Sequence, residues 1–560
     1  MKLMWLVSLS LVALVSRLSE GQTCGPRLRK DWNALTEAEK TTYRGAIAAA
    51  MDSGEYAKFI EMHTEMMSER EAHRQCMFIY WHRYILTAFE NMLRGQGGDF
   101  ACVTVPYFNW ITGSARFTAG SCSSFGDCLS IATELGGWTS GVTRTLSING
   151  VSNTGRCVNL PPLDHFCQLT SSAPSACARC VPRSNWGTVR LPASTSYAAI
   201  RNQVLSGRNI GEMSSSVEQG CHNNIHANMG STMGTFAAPA DPLFWSHHAM
   251  VDNLHVIFHR CRVGTARMTF AQKAANPVAW QSCARRNSNV NFEPTDVVMI
   301  RTGLRGNNPI PASTDPVVGR YFAGLPNQYA GLMDTRDLGV HSYGYEISGQ
   351  LASLFTQCDA SPTSRRMEET NASTPHANCG AGPDYAALNN FPETDFNGQE
   401  DDHQDVVVID NLGNPVSPDT PKDDYISDDS AKKVVSWYDQ TLDAMGGDSP
   451  ENMVDLERQA CMFEHICLGG TQDFSPEFKE LWKVKEPRCK TIVDAISNGS
   501  QTIQYEAWRE DMELAFGCPE PTNDMSSNSG SDGSSQSSKC GFLHANNTIQ
   551  LDEPEVNILG

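Results

Sequence analysis

Two histidines four residues apart, His222 and His226 in the run CHNNIH, constrain what this chain can fold into more than any other feature. In a helix that spacing puts both imidazoles on one face, one turn apart. A face carrying two neutral imidazoles is half of a metal site. His248 follows in DPLFWSHHAMVD, where Asp241-Pro242 makes a helix start, an N-cap before proline in the first turn. Two antiparallel helices would aim these three imidazoles at one point. A second trio precedes them, His63, His73 and His82 in MHTEMMSEREAHRQCMFIYWHRYIL. Nine residues of unbroken helix turn through about 900°, so His73 and His82 can share a metal only if the chain bends between them. Ser68 to Glu71 has the form of a capping box, which predicts a helix beginning near His73. His63 would then come from the preceding helix. His82 would project inward beside the apolar stripe of Phe78, Ile85 and Phe89, and an inward histidine needs a partner.

Three neutral imidazoles suit copper, zinc or iron. The zinc-protease form of the spacing is H-E-x-x-H, with the glutamate as base. Here the inner residues are Asn223, Asn224 and Ile225, so that chemistry is excluded. No carboxylate is placed to complete a two-histidine facial triad. An all-imidazole shell favours copper that cycles between oxidation states, and two such trios suggest two coppers sharing one dioxygen.

The rest of the 560-residue chain supplies context. Net charge is -20, which argues against a nucleic-acid partner. Lys2 followed by the apolar run Leu3 to Val15 reads as a secretory signal peptide over 1–21, too short for a membrane span, and no later run suggests a membrane anchor. In a secreted chain most of the 19 cysteines should pair, with at least one left over. Sequons at Asn371, Asn498 and Asn546 are expected glycosylation sites. Residues 31–95 have helical patterning that stops at Gly95, and residues 113–220 read as a loop-rich insertion pinned by Cys122, Cys128, Cys157, Cys167, Cys177 and Cys180. Helical patterns return at 221–262. The expected domains are 22–360 for the metal domain, 361–430 for an acidic linker or loose strand-bearing segment, 431–520 for a helical module with Cys461, Cys467, Cys489 and Cys518, and 521–560 for a flexible Ser/Gly-rich tail.

Over residues 24–360 the chain resembles the tyrosinase and mollusc-haemocyanin superfamily of type 3 dicopper proteins, and most of all secreted invertebrate tyrosinase-like proteins. WHRYILTAFE (81–90) is similar to the family's first copper motif, VPYFNW (105–110) to the segment after it, and HNNIH with DPLFWSHHAMVD to the two halves of the second. The resemblance implies a mainly α fold, with an antiparallel four-helix-bundle core, long disulfide-rich loops and a C-terminal extension. It implies two copper ions, copper A on His63, His73 and His82 and copper B on His222, His226 and His248. His247 then packs or hydrogen-bonds beside the ligands, Asp252 orients a ligand or an arginine, and Arg83 and Glu90 are ion-pair residues. His255, where the family often has tryptophan, and His259 are read as packing residues. In some members a glutamate at the place of Glu218, with an asparagine at the place of Asn223, holds a water that deprotonates the phenol, so this pair is the candidate general base. Many eukaryotic members carry a cysteine, cross-linked to the second copper-A histidine, where this chain has Glu71.

The activity implied is oxidation of phenols by O2. Monophenols would be hydroxylated and o-diphenols taken to o-quinones, for pigment or for cross-linking an extracellular matrix such as shell or cuticle. The alternatives are a catechol oxidase alone, an oxygen-binding protein, and a matrix or mineral-associated protein whose acidic stretch at 393–429 meets calcium or carbonate. In parts of the family a C-terminal region covers the copper pocket, and residues 430–560 are the candidate here.

Overall fold

The computed structural model describes residues 24–168, 176–286, 288–303, 308–356, 406–410, 412–416 and 420–518. The signal segment, the sequons at Asn371 and Asn546, and the 521–560 tail lie outside them. The helices of seven or more residues are α1 (Glu37–Asp52), α2 (Glu55–Thr64), α3 (Met66–Ala72), α4 (Phe78–Arg94), α5 (Trp110–Thr118), α6 (Tyr197–Leu205), α7 (Ile210–Val217), α8 (Asn223–Met229), α9 (Leu243–Arg262), α10 (Gly349–Thr356), α11 (Asp429–Ala444), α12 (Pro450–Cys467), α13 (Pro476–Trp482), α14 (Arg488–Ser497) and α15 (Trp508–Phe516). The fold is mainly α with disulfide-rich loops, as expected.

The N-terminal helices follow from their caps. Thr36 and Glu39 form a full capping box at α1, and α4 stops at Gly95 as the sequence predicts. The box expected at Ser68–Glu71 does not form. Glu65 caps α3 instead, accepting from the N–H groups of Met67 and Ser68 at 3.1 and 2.9 Å. Glu71 is drawn away by stronger partners, the Arg285 guanidinium and the Met299 N–H at 2.7 Å each and the Tyr329 hydroxyl at 2.6 Å. Consequently α3 ends before His73, and a five-residue loop, His73–Met77, supplies the bend that the histidine spacing demands.

Helices α4 and α9 form the central seam. Phe89 stacks on Trp245 with ring centroids 3.6 Å apart, and His82 stacks on His248 at 4.2 Å. One end of the seam is tied by buried charges. Asp252 on α9 accepts from Arg83 at 2.7 Å and from the hydroxyls of Tyr343 and Tyr345 at 2.6 and 2.7 Å, and Arg29 reaches both Glu90 and Asp252. Thus Arg83, Glu90 and Asp252 are structural, as expected. His255 belongs to the same network, its Nδ1 lying 2.7 Å from an Arg83 nitrogen. Buried ion pairs add little net stability but are costly to break singly.

A three-stranded parallel sheet closes the N-terminus. Leu28–Arg29 pairs with Gly344–Ile347, which pairs with Val406–Val408 from the acidic segment. The insertion folds as a hairpin, Thr143–Ile148 against Val151–Val158, with Val181–Arg183 as third strand. Its turn is Asn149-Gly150, both at positive φ, the two-residue turn that Asn-Gly favours. All six insertion cysteines pair among themselves, as 122–128, 157–180 and 167–177. The C-terminal helices α11–α15 carry the disulfides 461–489 and 467–518, and they pack on the body through α5 and α6. Among the described residues no helix is long and apolar enough to cross a membrane.

Candidate metal centre

The structure brings His63, His73 and His82 together as one buried cluster and His222, His226, His247 and His248 as another, with ring nitrogens in each cluster within 4.8 Å of one another. The clusters face each other across the α4–α9 seam, where His82 lies on His248. His63 is in the last turn of α2, His73 stands in the loop after α3, His82 is in the second turn of α4, His226 is on α8 and His248 on α9.

The hydrogen bonds of the rings fix which nitrogen is free. His63 Nδ1 lies 2.8 Å from the Phe236 carbonyl, His82 Nδ1 2.8 Å from Phe78 O, and His226 Nδ1 2.6 Å from Met233 O. A carbonyl only accepts, so each Nδ1 carries the hydrogen and each Nε2 presents a lone pair. His222 does the same toward Asn223 Oδ1 at 3.0 Å. The Nε2 atoms of His63, His73, His82, His222, His226 and His248 are all buried without a protein partner. His247 Nε2 is the seventh orphaned Nε2 of the two facing groups, and such a concentration of unpartnered imidazole nitrogens is what a pair of N-liganded metal ions requires. Burial, reinforced for most by neighbouring imidazoles, pushes these histidines down, His63 to about 4 and His226 to about 3. All are therefore neutral at pH 7 and ready to ligate.

His247 belongs to the second cluster by position but not by chemistry. Its Nδ1 accepts the Trp110 indole N–H at 3.2 Å, so its Nε2 carries the hydrogen and neither nitrogen has a free lone pair. That leaves His222, His226 and His248 as the trio able to bind a metal.

Between Val217 and Asn223 the chain makes one π-turn, Glu218–His222, with Gly220 at ψ -113°. Such bulges mark functional sites. The freed Cys221 N–H is taken by Gln203 Oε1 at 2.9 Å, and a Cβ on Gly220 would lie 2.2 Å from that oxygen, so any side chain there would displace Gln203 from this bond. Cys221 is a free buried thiol. Glu218 opens the turn, is buried, and accepts the Arg74 N–H at 2.7 Å. Burial pushes its carboxyl up to about 8. Glu218 and Asn223 thus each have a partner, and the Asn223 oxygen orients His222. His259 is buried but away from both clusters.

The sequence reading did not identify the residue that covers the site. Trp482, at the end of α13, lies with its ring 5.1 Å from His73, 5.1 Å from His226, 6.0 Å from His222 and 5.0 Å from Phe236. Its indole N–H donates to Gly234 O at 2.9 Å, and Phe474 and Phe478 pack behind it. The spacing of Phe474, Phe478 and Trp482, four residues each, was the available signal.

The family model described as the common central domain of tyrosinase matches residues 53–260. The chain is 30% identical to a tyrosinase of Streptomyces glaucescens over 258 residues, 44% of this chain and 86% of the relative. It is 27% identical to a tyrosinase of Streptomyces antibioticus over 249 residues, 42% of this chain and 83% of the relative. Among solved structures, a polyphenol oxidase from Thermothelomyces thermophila aligns at 19% identity and a TM-score of 0.37, over 60% of this chain and 92% of that one. The chain belongs to the tyrosinase family of type 3 copper proteins, and its cofactor is a pair of copper ions.

Proposed function

We propose that the protein is a secreted copper-dependent phenol oxidase, with copper A held by His63, His73 and His82 and copper B by His222, His226 and His248. The observation that carries this is the pair of facing trios with six buried, unpartnered Nε2 atoms. The copper pair, when bound, supplies the redox chemistry that O2 activation needs and a Lewis-acid site for a phenol oxygen. The chain's own residues do the rest. Carbonyls at Phe78, Met233 and Phe236 hold three imidazoles in the tautomer that ligates. Asn223 holds a fourth. The aromatic wall of Phe78, Phe236 and Phe244 around the clusters excludes water. Glu218, with a carboxyl pushed to about 8 by burial, is the group matched to taking a phenol proton near neutral pH.

The substrate class is a monophenol, an o-diphenol or both, oxidised to the o-quinone, and the setting proposed is an extracellular matrix in which quinones make pigment or cross-links. The signal-like N-terminus and the many disulfides support secretion. Trp482 supports a latent form in which the C-terminal module covers the site until it is moved. The test is oxygen uptake by copper-loaded protein given a simple catechol, with His226→Ala as control. Uptake lost in the variant supports the oxidase. Copper bound without uptake, even when the module has been trimmed near residue 430, moves the weight to oxygen binding or a matrix role.

A further inference from the structure

Four of the six ligand-type histidines are oriented by a bond from Nδ1, but His73 and His248 are not. Neither nitrogen of either ring has a hydrogen-bond partner. His248 is instead held by its neighbours' rings, stacked on His82 at 4.2 Å and packed on Phe244 at 4.3 Å. His73 lies outside any helix. It is the extended residue after α3, at φ -120° and ψ 148°, and the next residue, Arg74, is at φ 58°, a conformation rare for a side chain of that size. The loop is held on one flank by Glu71 and on the other by the Cys76–Cys283 disulfide. Between them the His73 N–H donates back to Glu69 O of α3 at 3.2 Å, and the Arg74 N–H donates to Glu218 Oε1 at 2.7 Å, the contact that leaves the copper-A half of the site. Glu218 comes from the opposite half of the site, at the head of the π-turn that carries His222.

We infer that Glu218 is a positioning residue for His73, a strut that ties the copper-A loop to the copper-B helix by accepting the Arg74 N–H. The inference rests on His73 being a copper ligand and is separate from any proton-taking role. A strut needs an oxygen at this place, and a base needs a carboxylate. Glutamine keeps the first and removes the second. Partners that orient metal ligands are worth about 10–100-fold in metal affinity.

The experiment is copper titration of the full-length chain in competition with a chelator, for the native protein, Glu218→Gln and Glu218→Ala. The expected result is two bound coppers in all three, with one of them held about 10–100-fold more weakly in Glu218→Ala and both held within a few-fold of native in Glu218→Gln. The unchanged second copper serves as the control for folding. Native affinity at both sites in Glu218→Ala overturns the strut, as does equal weakening in Gln and Ala. If Glu218→Ala loses both coppers together, the residue is holding the fold and not His73. Turnover takes no part in the reading, so a protein that shows the expected binding pattern but stays inactive even when trimmed near residue 430 counts against the oxidase and leaves the strut standing.

Discussion

Replacing Trp482 by alanine should switch the site on. The indole is only 2% exposed and lies 5.1 Å from His73 of one trio and 5.1 Å from His226 of the other, so under the proposed function it stands in the way of a substrate reaching both. Its removal deletes the packing on Phe236 and Phe478 and the bond to Gly234 O. Cutting a buried tryptophan to alanine costs about 3–5 kcal/mol. The cost falls on docking of the wedge, because α13 belongs to a module with its own disulfide staples, Cys461–Cys489 and Cys467–Cys518. At about 1.4 kcal/mol per tenfold, the lower figure raises the population of the undocked wedge about 100-fold. Catechol turnover of copper-loaded protein, read as oxygen uptake, should rise by up to that factor. Trp482→Phe keeps one aromatic ring and loses the N–H, worth about 1 kcal/mol, together with part of the packing, so its rise should lie between several-fold and that of the alanine variant. Unchanged turnover in Trp482→Ala with both coppers bound would refute the reasoning.

Three further outcomes follow from single contacts. Glu464 reaches from α12 into the body, accepting the Ala193 N–H at 2.9 Å beside Arg190 and Thr471, and burial pushes its carboxyl from an ordinary 4.5 up to about 7. The docked state therefore prefers the protonated acid. Its contribution is full below about pH 4.5 and is lost as pH rises through about 7, so turnover should climb over that window in native protein and climb less in Glu464→Gln. If Glu218 also takes the phenol proton, Glu218→Gln should lose monophenol hydroxylation and keep catechol oxidation. Equal loss on both substrates rejects that role. His247→Phe should still bind two coppers, since Trp110 leaves its ring no lone pair. Loss of one copper in metal analysis, with the fold intact by circular dichroism, would make it a ligand after all.

Much of the site was legible from spacing. The i, i+4 pair His222 and His226, the bend required between His73 and His82, the stop at Gly95 and the helix after Asp241-Pro242 all follow from the period of a helix. What the sequence hid depends on partners far along the chain. Ser68–Glu71 has every local mark of a capping box, yet Glu71 is claimed by Arg285, Met299 and Tyr329, more than 200 residues away. The same competition moves the start of α4 from His73 to Phe78. The tautomer of His247 is set by Trp110, and the π-turn at Gly220 is made possible by Gln203, contacts with no sequence signature. Trp482 covers histidines more than 250 positions earlier, and its spacing with Phe474 and Phe478 is also what any buried helix face looks like.

The central claim is that each trio holds one copper. It is tested most directly by metal analysis of copper-loaded, extensively dialysed protein carrying His82→Ala, His226→Ala, or both. The account predicts two coppers per chain in the native protein, one in each single variant, and none in the double. Two coppers retained in either single variant, or none in native protein, would contradict it.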